Sequence, residues 1–171
     1  AAQLVHAGQV TAAGWQWLIG RSLRAHLDAG WLWLSARGES MGVVQSIRTP
    51  SFVAETTVDA SGLRSGSLAG LVVHGDRTNW IQFAADGKRL QIRTQHKREK
   101  VTVADVPVEA DRPITLRIAC IKGNRFRFAV RQGEGTWQEV GTETSGAYLP
   151  PWDRGIRVGV AVEGEAPANG G

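Results

Sequence analysis

The sequence has 171 residues, of which 42% are hydrophobic and 21% charged, and its net charge at pH 7 is +4. This length suits one domain with a substantial core and is short for two domains. The apolar runs are only a few residues long, which excludes a transmembrane helix, and we expect no membrane partner. The single cysteine, Cys120, excludes an internal disulfide and lies in an apolar run, so we expect a buried, unreactive thiol.

Apolar and polar residues alternate along much of the chain, which predicts β-strands rather than helices. In Trp31-Leu32-Trp33-Leu34, we expect both leucines to face the core and both tryptophans to face the other way. The segment 18–28 is the one stretch that could pass for a helix, but glycines bracket it and its apolar stripe extends no further. Later alternating segments are 51–60, 90–95, 115–120 and 125–131.

Short turn sequences that contain glycine or asparagine separate these segments, for example Asp86-Gly87 and Lys122-Gly123-Asn124. Short strands at regular spacing, without intervening helices, predict an all-β sandwich or barrel. We expect a single β-sandwich domain over 1–163 and a C-terminal linker or tail over 164–171.

Several motifs occur in an order that resembles a known family. They are Trp15-Gln16-Trp17, Gly-Trp-Leu-Trp-Leu at 30–34, and the segments 52–59, 69–76, 79–81, 126–130 and 155–162. Over about 15–162 the chain resembles the concanavalin A-like β-sandwich at the C-terminus of glycoside hydrolase family 43 enzymes such as β-xylosidases. The resemblance implies a two-sheet antiparallel jelly-roll sandwich of the concanavalin A-like lectin and glucanase type.

The sequence departs from this family at its C-terminal end. The family closes with a further strand carrying a Phe-Asp pair, whereas residues 165–171 read Glu-Ala-Pro-Ala-Asn-Gly-Gly. Either the last strand is missing from this sequence, or the N-terminal segment takes its place. The family module packs on a catalytic domain, so the resemblance implies a covalently linked catalytic partner. We expect an extracellular or periplasmic location rather than a cytoplasmic one, although residues 1–14 lack signal-peptide features.

Trp80 is the centre of the first predicted carbohydrate site. An aromatic ring stacks on the apolar face of a sugar, and polar side chains around it bind the hydroxyl groups. Trp80 follows a polar turn and shares a strand face with Gln82. Together with His74, Asp76 and Asn79, these residues have the composition of a sugar site.

The other tryptophans are weaker candidates for contact with a ligand. Trp31 and Trp33 lie on one face of a strand, about 7 Å apart, and could stack successive sugar units. The alternative is that these rings pack beneath a crossing loop or the N-terminal segment. Trp137 and Trp152 lie beside turns, and we interpret both as turn anchors rather than ligand contacts.

Arginines in three of the alternating segments could form one basic face. The row consists of Gln91, Arg93, Gln95, Arg117, Arg125, Arg127 and Arg131. If these strands are neighbours, Arg93 and the other guanidinium groups could bind the carboxylates or sulfates of an anionic polysaccharide. The alternative is a solvated basic face that aids solubility. No nucleic-acid motif appears, so we expect no nucleic-acid partner.

A catalytic centre is not expected. Glycoside hydrolysis needs two carboxyl groups about 5 Å apart or about 6.5–9.5 Å apart across one cleft. Glu55 and Asp59 share a strand face but lie roughly 13 Å apart. Glu163 and Glu165 are closer in sequence, but they lie in what reads as a frayed C-terminal tail. The histidines have no metal-ligand spacing, and no Gly-x-Ser-x-Gly motif is present.

Structural calcium is the one cofactor that the sequence leaves open, since related sandwiches often hold this ion with carboxylates and turn carbonyls. The nearest candidate ligands are Glu55, Asp59 and Asp76, without an ordered loop motif to support them.

The leading functional interpretation is a non-catalytic accessory module that binds plant-type or anionic polysaccharide through exposed tryptophan and arginine side chains. The alternatives are a purely structural domain that packs on a neighbouring catalytic domain, and a stand-alone glycoside hydrolase.

Overall fold

The computed structural model describes residues 2–3, 15–18, 24–35, 41–59, 61, 63, 66–108 and 112–164. For 2–3, 15–18, 24–27, 35 and 41 the description covers the backbone alone. The predicted tail, 164–171, lies outside this range except for Gly164. Within the described residues there is no helix long and apolar enough to cross a membrane.

The described chain forms fifteen strands in two antiparallel sheets, which confirms the predicted all-β sandwich. The strands are β1 (Ala2–Gln3), β2 (Trp15–Leu18), β3 (Arg24–Asp28), β4 (Trp31–Ser35), β5 (Met41–Ser46), β6 (Phe52–Val58), β7 (Leu68–Asp76), β8 (Asn79–Ala85), β9 (Arg89–His96), β10 (Glu99–Pro107), β11 (Ile114–Ile121), β12 (Arg125–Gln132), β13 (Gln138–Glu139), β14 (Thr144–Ser145) and β15 (Arg157–Glu163).

One sheet has eight strands in the order β13-β12-β11-β6-β1-β4-β3, with β14 also paired to β12. The other has seven strands in the order β10-β9-β8-β7-β15-β5-β2. Of the segment that could pass for a helix, Leu18 ends β2 and 24–28 form β3, while 19–23 lie outside the described residues. The N-terminal segment does add a strand, because β1 lies between β4 and β6.

The core lies between the two sheets and follows the period-two pattern of the sequence. On β11, Ile114, Leu116, Ile118 and Cys120 are buried, while the residues between them are partly exposed. Burial raises the pKa of the Cys120 thiol, which agrees with an unreactive side chain.

Phe83 of the seven-stranded sheet meets Phe128 of the eight-stranded sheet at the centre of this core. Their ring centres are 5.5 Å apart in an edge-to-face arrangement, and both rings are fully buried. Aromatic pairs of this geometry stabilise a fold by about 0.5–1.5 kcal/mol beyond the area they bury. The contact therefore aligns β8 with β12 across the sandwich.

The segment 142–156 covers the end of the core nearest the β7–β8 turn. The Tyr148 ring stacks on His96 with centres 4.9 Å apart, and its hydroxyl donates a hydrogen bond to the backbone oxygen of Trp80 at 3.1 Å. Burial raises the pKa of Tyr148 to about 12. Trp152 packs against the Gly123 turn, in agreement with the turn-anchor interpretation. The segment therefore supports the strand from which Trp80 projects.

Three glycines in the seven-stranded sheet allow neighbouring strands to approach closely. A Cβ atom at Gly42 or Gly159 would lie 2.0 Å from a backbone oxygen of the adjacent strand, and one at Gly70 would lie 2.2 Å from such an oxygen. Real Cβ atoms do not come this close to backbone atoms, so only glycine fits here without a shift of the sheet.

Gly159→Ala should lower the free energy of unfolding by about 2–3 kcal/mol, because its methyl group would collide with the Val43 backbone. Urea unfolding followed by circular dichroism measures this loss. Gly133→Ala is the control: nothing lies within 4 Å of its Cβ position, although its φ of +52° carries a cost of about 1–2 kcal/mol. Equal losses in the two variants would contradict the close-approach explanation.

Candidate functional site

The outward surface of the seven-stranded sheet brings together part of the predicted sugar site. The register pairs Trp80 with His74 on β7 and with Gln95 on β9, and it pairs Gln82 with Arg93. Because partners in register lie on the same side of a sheet, these side chains share a face. We call this surface the front face, and its candidate site consists of His74, Trp80, Gln82, Arg93, Lys100 and Glu163.

Trp80 lies on an apolar floor. It packs against a cluster formed by Val44, Val72 and Ala161, which belong to the three neighbouring strands β5, β7 and β15. The Lys100 ammonium lies 5.4 Å from the centre of the indole ring. A cation at this distance is attracted to the ring and, being on a flexible side chain, can be displaced by a ligand.

Arg93 and Glu163 form a two-pronged ion pair over the front face. Arg93 Nη1 donates to Glu163 Oε2 at 2.7 Å and Nη2 donates to Oε1 at 3.3 Å, while Lys100 Nζ lies 3.5 Å from Oε1. Strands β8 and β7 lie between the two partners, so the side chains reach across both. Their side chains are only 12% and 22% exposed, which makes this pair less screened than an ordinary surface pair.

Gln82 lies beneath these charges with an incomplete set of hydrogen bonds. Its side chain is 1% exposed, and its Oε1 accepts a long hydrogen bond of 3.4 Å from Arg93. Its amide nitrogen Nε2 is buried and has no hydrogen-bond partner among the described residues. A buried donor without a partner costs about 1–3 kcal/mol, and such a group in a folded protein calls for an explanation such as a bound water or ligand.

His74 is half-buried beside Trp80, and its Nδ1 also has no hydrogen-bond partner in the part of the chain that the structure describes. Burial lowers the pKa of this imidazole, and the nearby Arg157 charge lowers it further, while Asp76 acts in the opposite direction. The imidazole is therefore neutral at neutral pH.

Asp76 and Asn79 lie in the β7–β8 turn, where their side chains hold the backbone. Asp76 Oδ1 accepts hydrogen bonds from the backbone nitrogen of Thr78 at 2.7 Å and from its hydroxyl at 2.8 Å. Asn79 donates to both Asp76 oxygens and accepts from the Lys97 backbone nitrogen at 3.3 Å. The structure thus places these two predicted sugar-site residues at the edge of the site, engaged with the hairpin.

Trp31 and Trp33 lie on the other sheet. Leu32 and Leu34 pack against the core, as predicted, and leave both tryptophans on the outer side of β4, where Trp33 is 41% exposed. β4 belongs to the eight-stranded sheet, whereas Trp80 belongs to the seven-stranded one. The two tryptophan sites are therefore separate surfaces and cannot contact one sugar chain side by side.

The predicted single basic face is wrong. Arg93 lies on β9 in the seven-stranded sheet, whereas Arg117, Arg125, Arg127 and Arg131 lie on β11 and β12 in the other. Strand order in a sandwich depends on long-range pairing, which local alternation does not reveal.

The arginines of the eight-stranded sheet form ion pairs with acidic side chains or stack on an aromatic ring. Arg117 pairs with Glu55 at 2.6 Å, and both Arg125 and Arg127 pair with Glu143. Trp137 stacks under two of these guanidinium groups, at 3.7 Å from Arg117 and 4.8 Å from Arg131. Trp137 is therefore anchored, as predicted.

The three carboxylates considered for calcium do not converge. Glu55 binds Arg117, Asp59 accepts hydrogen bonds from Ser61, and Asp76 belongs to the β7–β8 turn. The described residues contain no group of three or more His, Cys, Asp or Glu side chains that could hold a metal ion. Structural calcium stays a prediction from the sequence alone.

Glu163 is the residue of this site that sequence reasoning placed wrongly. It is the last residue of β15, which lies between β7 and β5 inside the sheet rather than in a frayed tail. The signal was present in the sequence: Val158, Val160 and Val162 alternate with polar or small residues up to Glu163, which puts Glu163 on the outward side. Lys100, on the edge strand β10, was also not predicted from the sequence as a site residue.

The fold agrees with that of the known proteins that the chain resembles. The family model described as the β-xylosidase C-terminal concanavalin A-like domain matches residues 10–165. No curated protein sequence matches the chain.

Among solved structures, the xylan β-1,4-xylosidase of Bacillus halodurans C-125 superposes with a TM-score of 0.64 at 19% identity, covering 76% of this chain and 29% of the xylosidase. The bifunctional GH43-CE protein of Bacteroides eggerthii gives 0.69 at 19% identity, covering 91% of this chain and 23% of that protein. The carbohydrate-binding module CBM66 of Bacillus subtilis gives 0.57 at 12% identity, covering 88% and 91%. The chain thus spans less than a third of each multi-domain relative, and about the whole length of the binding module.

The lowered pKa of His74 should make the protein less stable in mild acid. The ordinary pKa is 6.5, so as the pH falls below this value the unfolded chain takes up a proton before folded His74 does. The free energy of unfolding therefore decreases from about pH 6.5 downward, and the loss continues until the folded imidazole also protonates. Urea unfolding between pH 7.5 and 5.5 measures this slope, and His74→Asn should flatten it. If the free energy of unfolding falls with pH equally in wild type and His74→Asn, a group other than His74 causes the loss.

Proposed function

The chain belongs to the family of β-xylosidase C-terminal concanavalin A-like domains, and we propose that it is a non-catalytic accessory module that binds carbohydrate on its front face. The observation that carries this proposal is the juxtaposition of a partly exposed Trp80 with the unpartnered amide of the buried Gln82. A sugar ring can stack on the indole while one of its hydroxyl oxygens accepts a hydrogen bond from Gln82 Nε2.

The front face supports this role better than the Trp31 and Trp33 surface. Carbohydrate recognition needs a ring and fixed polar groups together. Around Trp80 the polar groups include Gln82 and Arg93, both largely buried and therefore held in place. The similarity in fold to a carbohydrate-binding module of nearly the same length is in keeping with this proposal.

A non-catalytic role is supported by the state of the carboxylates on this surface. Glu163 forms the two-pronged pair with Arg93, and Asp105 on β10 pairs with Arg89. A glycosidase needs one carboxyl group that can donate a proton and a second that acts as base or nucleophile. Here each of the two carboxylates is engaged by an arginine instead. Reducing-sugar release from xylan measures this directly, and we expect none from the chain alone.

A structural role beside a catalytic domain is the second candidate. The chain spans only 29% of the xylosidase that it matches, which leaves room there for other domains. On the edge strand β10, Val101 and Val103 are 40% and 46% exposed and could pack on a neighbour. In such a setting the location proposed for the whole protein is extracellular or periplasmic, where polysaccharide substrates occur.

Trp80→Ala should weaken glycan binding about tenfold or more, because the variant loses the stacking surface. Affinity electrophoresis of the chain through gels containing neutral xylan or an acidic xylan measures binding as retardation. Trp33→Ala is the matched control, since it removes an exposed indole from the opposite sheet. Thermal unfolding of both variants establishes that each is folded at the assay temperature.

Retardation of wild type and Trp33→Ala, with loss in Trp80→Ala, supports the front-face site. Loss of retardation in Trp33→Ala alone would place the binding site on the eight-stranded sheet. If no glycan retards the wild type, the carbohydrate-binding proposal fails and the structural role becomes the better explanation.

A further inference from the structure

We propose that the front face binds a sugar unit bearing a carboxylate, and that the Glu163 side chain occupies the position of this carboxylate when no ligand is bound. This inference rests on the proposed carbohydrate-binding function and names the class of sugar. Its basis is the convergence of Arg93 and Lys100 on the single carboxyl group of Glu163, with the side-chain amide of Gln82 against the same Arg93 nitrogen.

The geometry of the Arg93 contact is that of a carboxylate receptor. Both terminal nitrogens of the guanidinium group meet both oxygens of Glu163, at 2.7 and 3.3 Å. A planar carboxylate accepts two such parallel hydrogen bonds and supplies the compensating negative charge, which a sugar hydroxyl lacks. A uronate carboxyl group can therefore replace Glu163 at Arg93, whereas a neutral sugar would leave the guanidinium charge uncompensated.

The charge balance favours the same class of ligand. Arg93 and Lys100 supply two positive charges to the cluster, and Glu163 supplies one negative charge. The pair is largely buried, so these charges act at short range with little screening. When Glu163 leaves Arg93, the carboxylate of the ligand takes its place as the counter-charge of the two cations.

Gln82 provides the observation that is independent of charge. Its Nε2 is a hydrogen-bond donor in a 1% exposed side chain, and no group among the described residues, Glu163 included, accepts from it. Its Oε1 lies 3.4 Å from the same Arg93 nitrogen that binds Glu163, so the amide lies beside the carboxylate position. A bulkier acidic ligand, with carboxyl and hydroxyl oxygens next to each other, could reach both groups at once.

Trp80 places the rest of the sugar. Lys100 lies both over its ring, at 5.4 Å, and beside Glu163, at 3.5 Å. The stacking surface and the carboxylate position are therefore both next to one flexible side chain. Entry of the ligand requires Glu163 to leave Arg93, which makes Glu163 an internal competitor and a determinant of specificity.

The test compares acidic oligosaccharides with their neutral counterparts. The probes are a xylo-oligosaccharide bearing glucuronate and an oligogalacturonate, each alongside the same compound after reduction of its carboxyl groups to alcohols. Isothermal titration calorimetry with the full chain measures Kd for wild type, Glu163→Gln, Arg93→Lys and Asp105→Asn. Asp105→Asn is the matched control, because it removes one negative charge from an arginine pair elsewhere in the same sheet.

The expected result is tighter binding of at least one acidic probe than of its reduced form. Glu163→Gln should bind the acidic probe about tenfold more tightly, since the internal competitor is removed while the reduced form is unaffected. Arg93→Lys should lose most of the preference for the acidic form, because it keeps the charge but not the two-pronged contact. Asp105→Asn should keep the wild-type preference, because Asp105 pairs with Arg89 and contacts neither Arg93 nor Lys100 within the described residues.

Equal affinity for acidic and reduced probes in wild type would overturn this inference while leaving the carbohydrate-binding function intact. Weaker binding of both forms by Glu163→Gln would also overturn it, since Glu163 would then be a direct sugar ligand. Failure of every probe to bind would end both proposals. If Glu163→Gln does not fold, the comparison of the two forms in wild type and Arg93→Lys still decides the question.

Discussion

The register of β8 between β7 and β9 is the constraint on which the front face depends. Side chains alternate along a strand, so a slip by one residue would turn Trp80 and Gln82 into the core and expose Phe83. The contact of Phe83 with Phe128 opposes such a slip from within the sandwich. From outside, the hydroxyl of Tyr148 holds the backbone of Trp80 itself. The polar site is thus positioned by apolar contacts on the opposite side of the same strand.

Local alternation predicted which way side chains face, and it could not predict which strands are neighbours. The inward positions of Leu32, Leu34 and Phe83 follow from a period of two, and the structure has them there. The separation of Arg93 from Arg117 depends on pairings between segments far apart in sequence, such as β11 with β6. Glu163 was misplaced for a related reason: a strand near the end of the sequence lies inside the sheet only because β5 and β7 leave a position between them.

Buried polar atoms without hydrogen-bond partners lower stability mainly at the front face, among the described residues. Gln82 Nε2 and His74 Nδ1 are two of the three buried side-chain nitrogens without a partner in the described residues. Each such atom costs about 1–3 kcal/mol, against a net stability of about 5–15 kcal/mol for a domain. Two of them on one surface, beside a bridging ion pair, concentrate this cost at the place where a ligand could relieve it.

Tyr148 gives the protein an internal optical reporter. It is the single tyrosine of the sequence, and its buried hydroxyl has a pKa of about 12 while it is bonded to the Trp80 backbone. Ionisation of a phenol changes its ultraviolet absorbance, so an alkaline titration observes this one side chain without any label. Loosening of the segment 142–156 would hydrate the hydroxyl and bring its titration toward that of free tyrosine, near 10. The absorbance of one residue therefore reports whether the end of the sandwich beside Trp80 is closed.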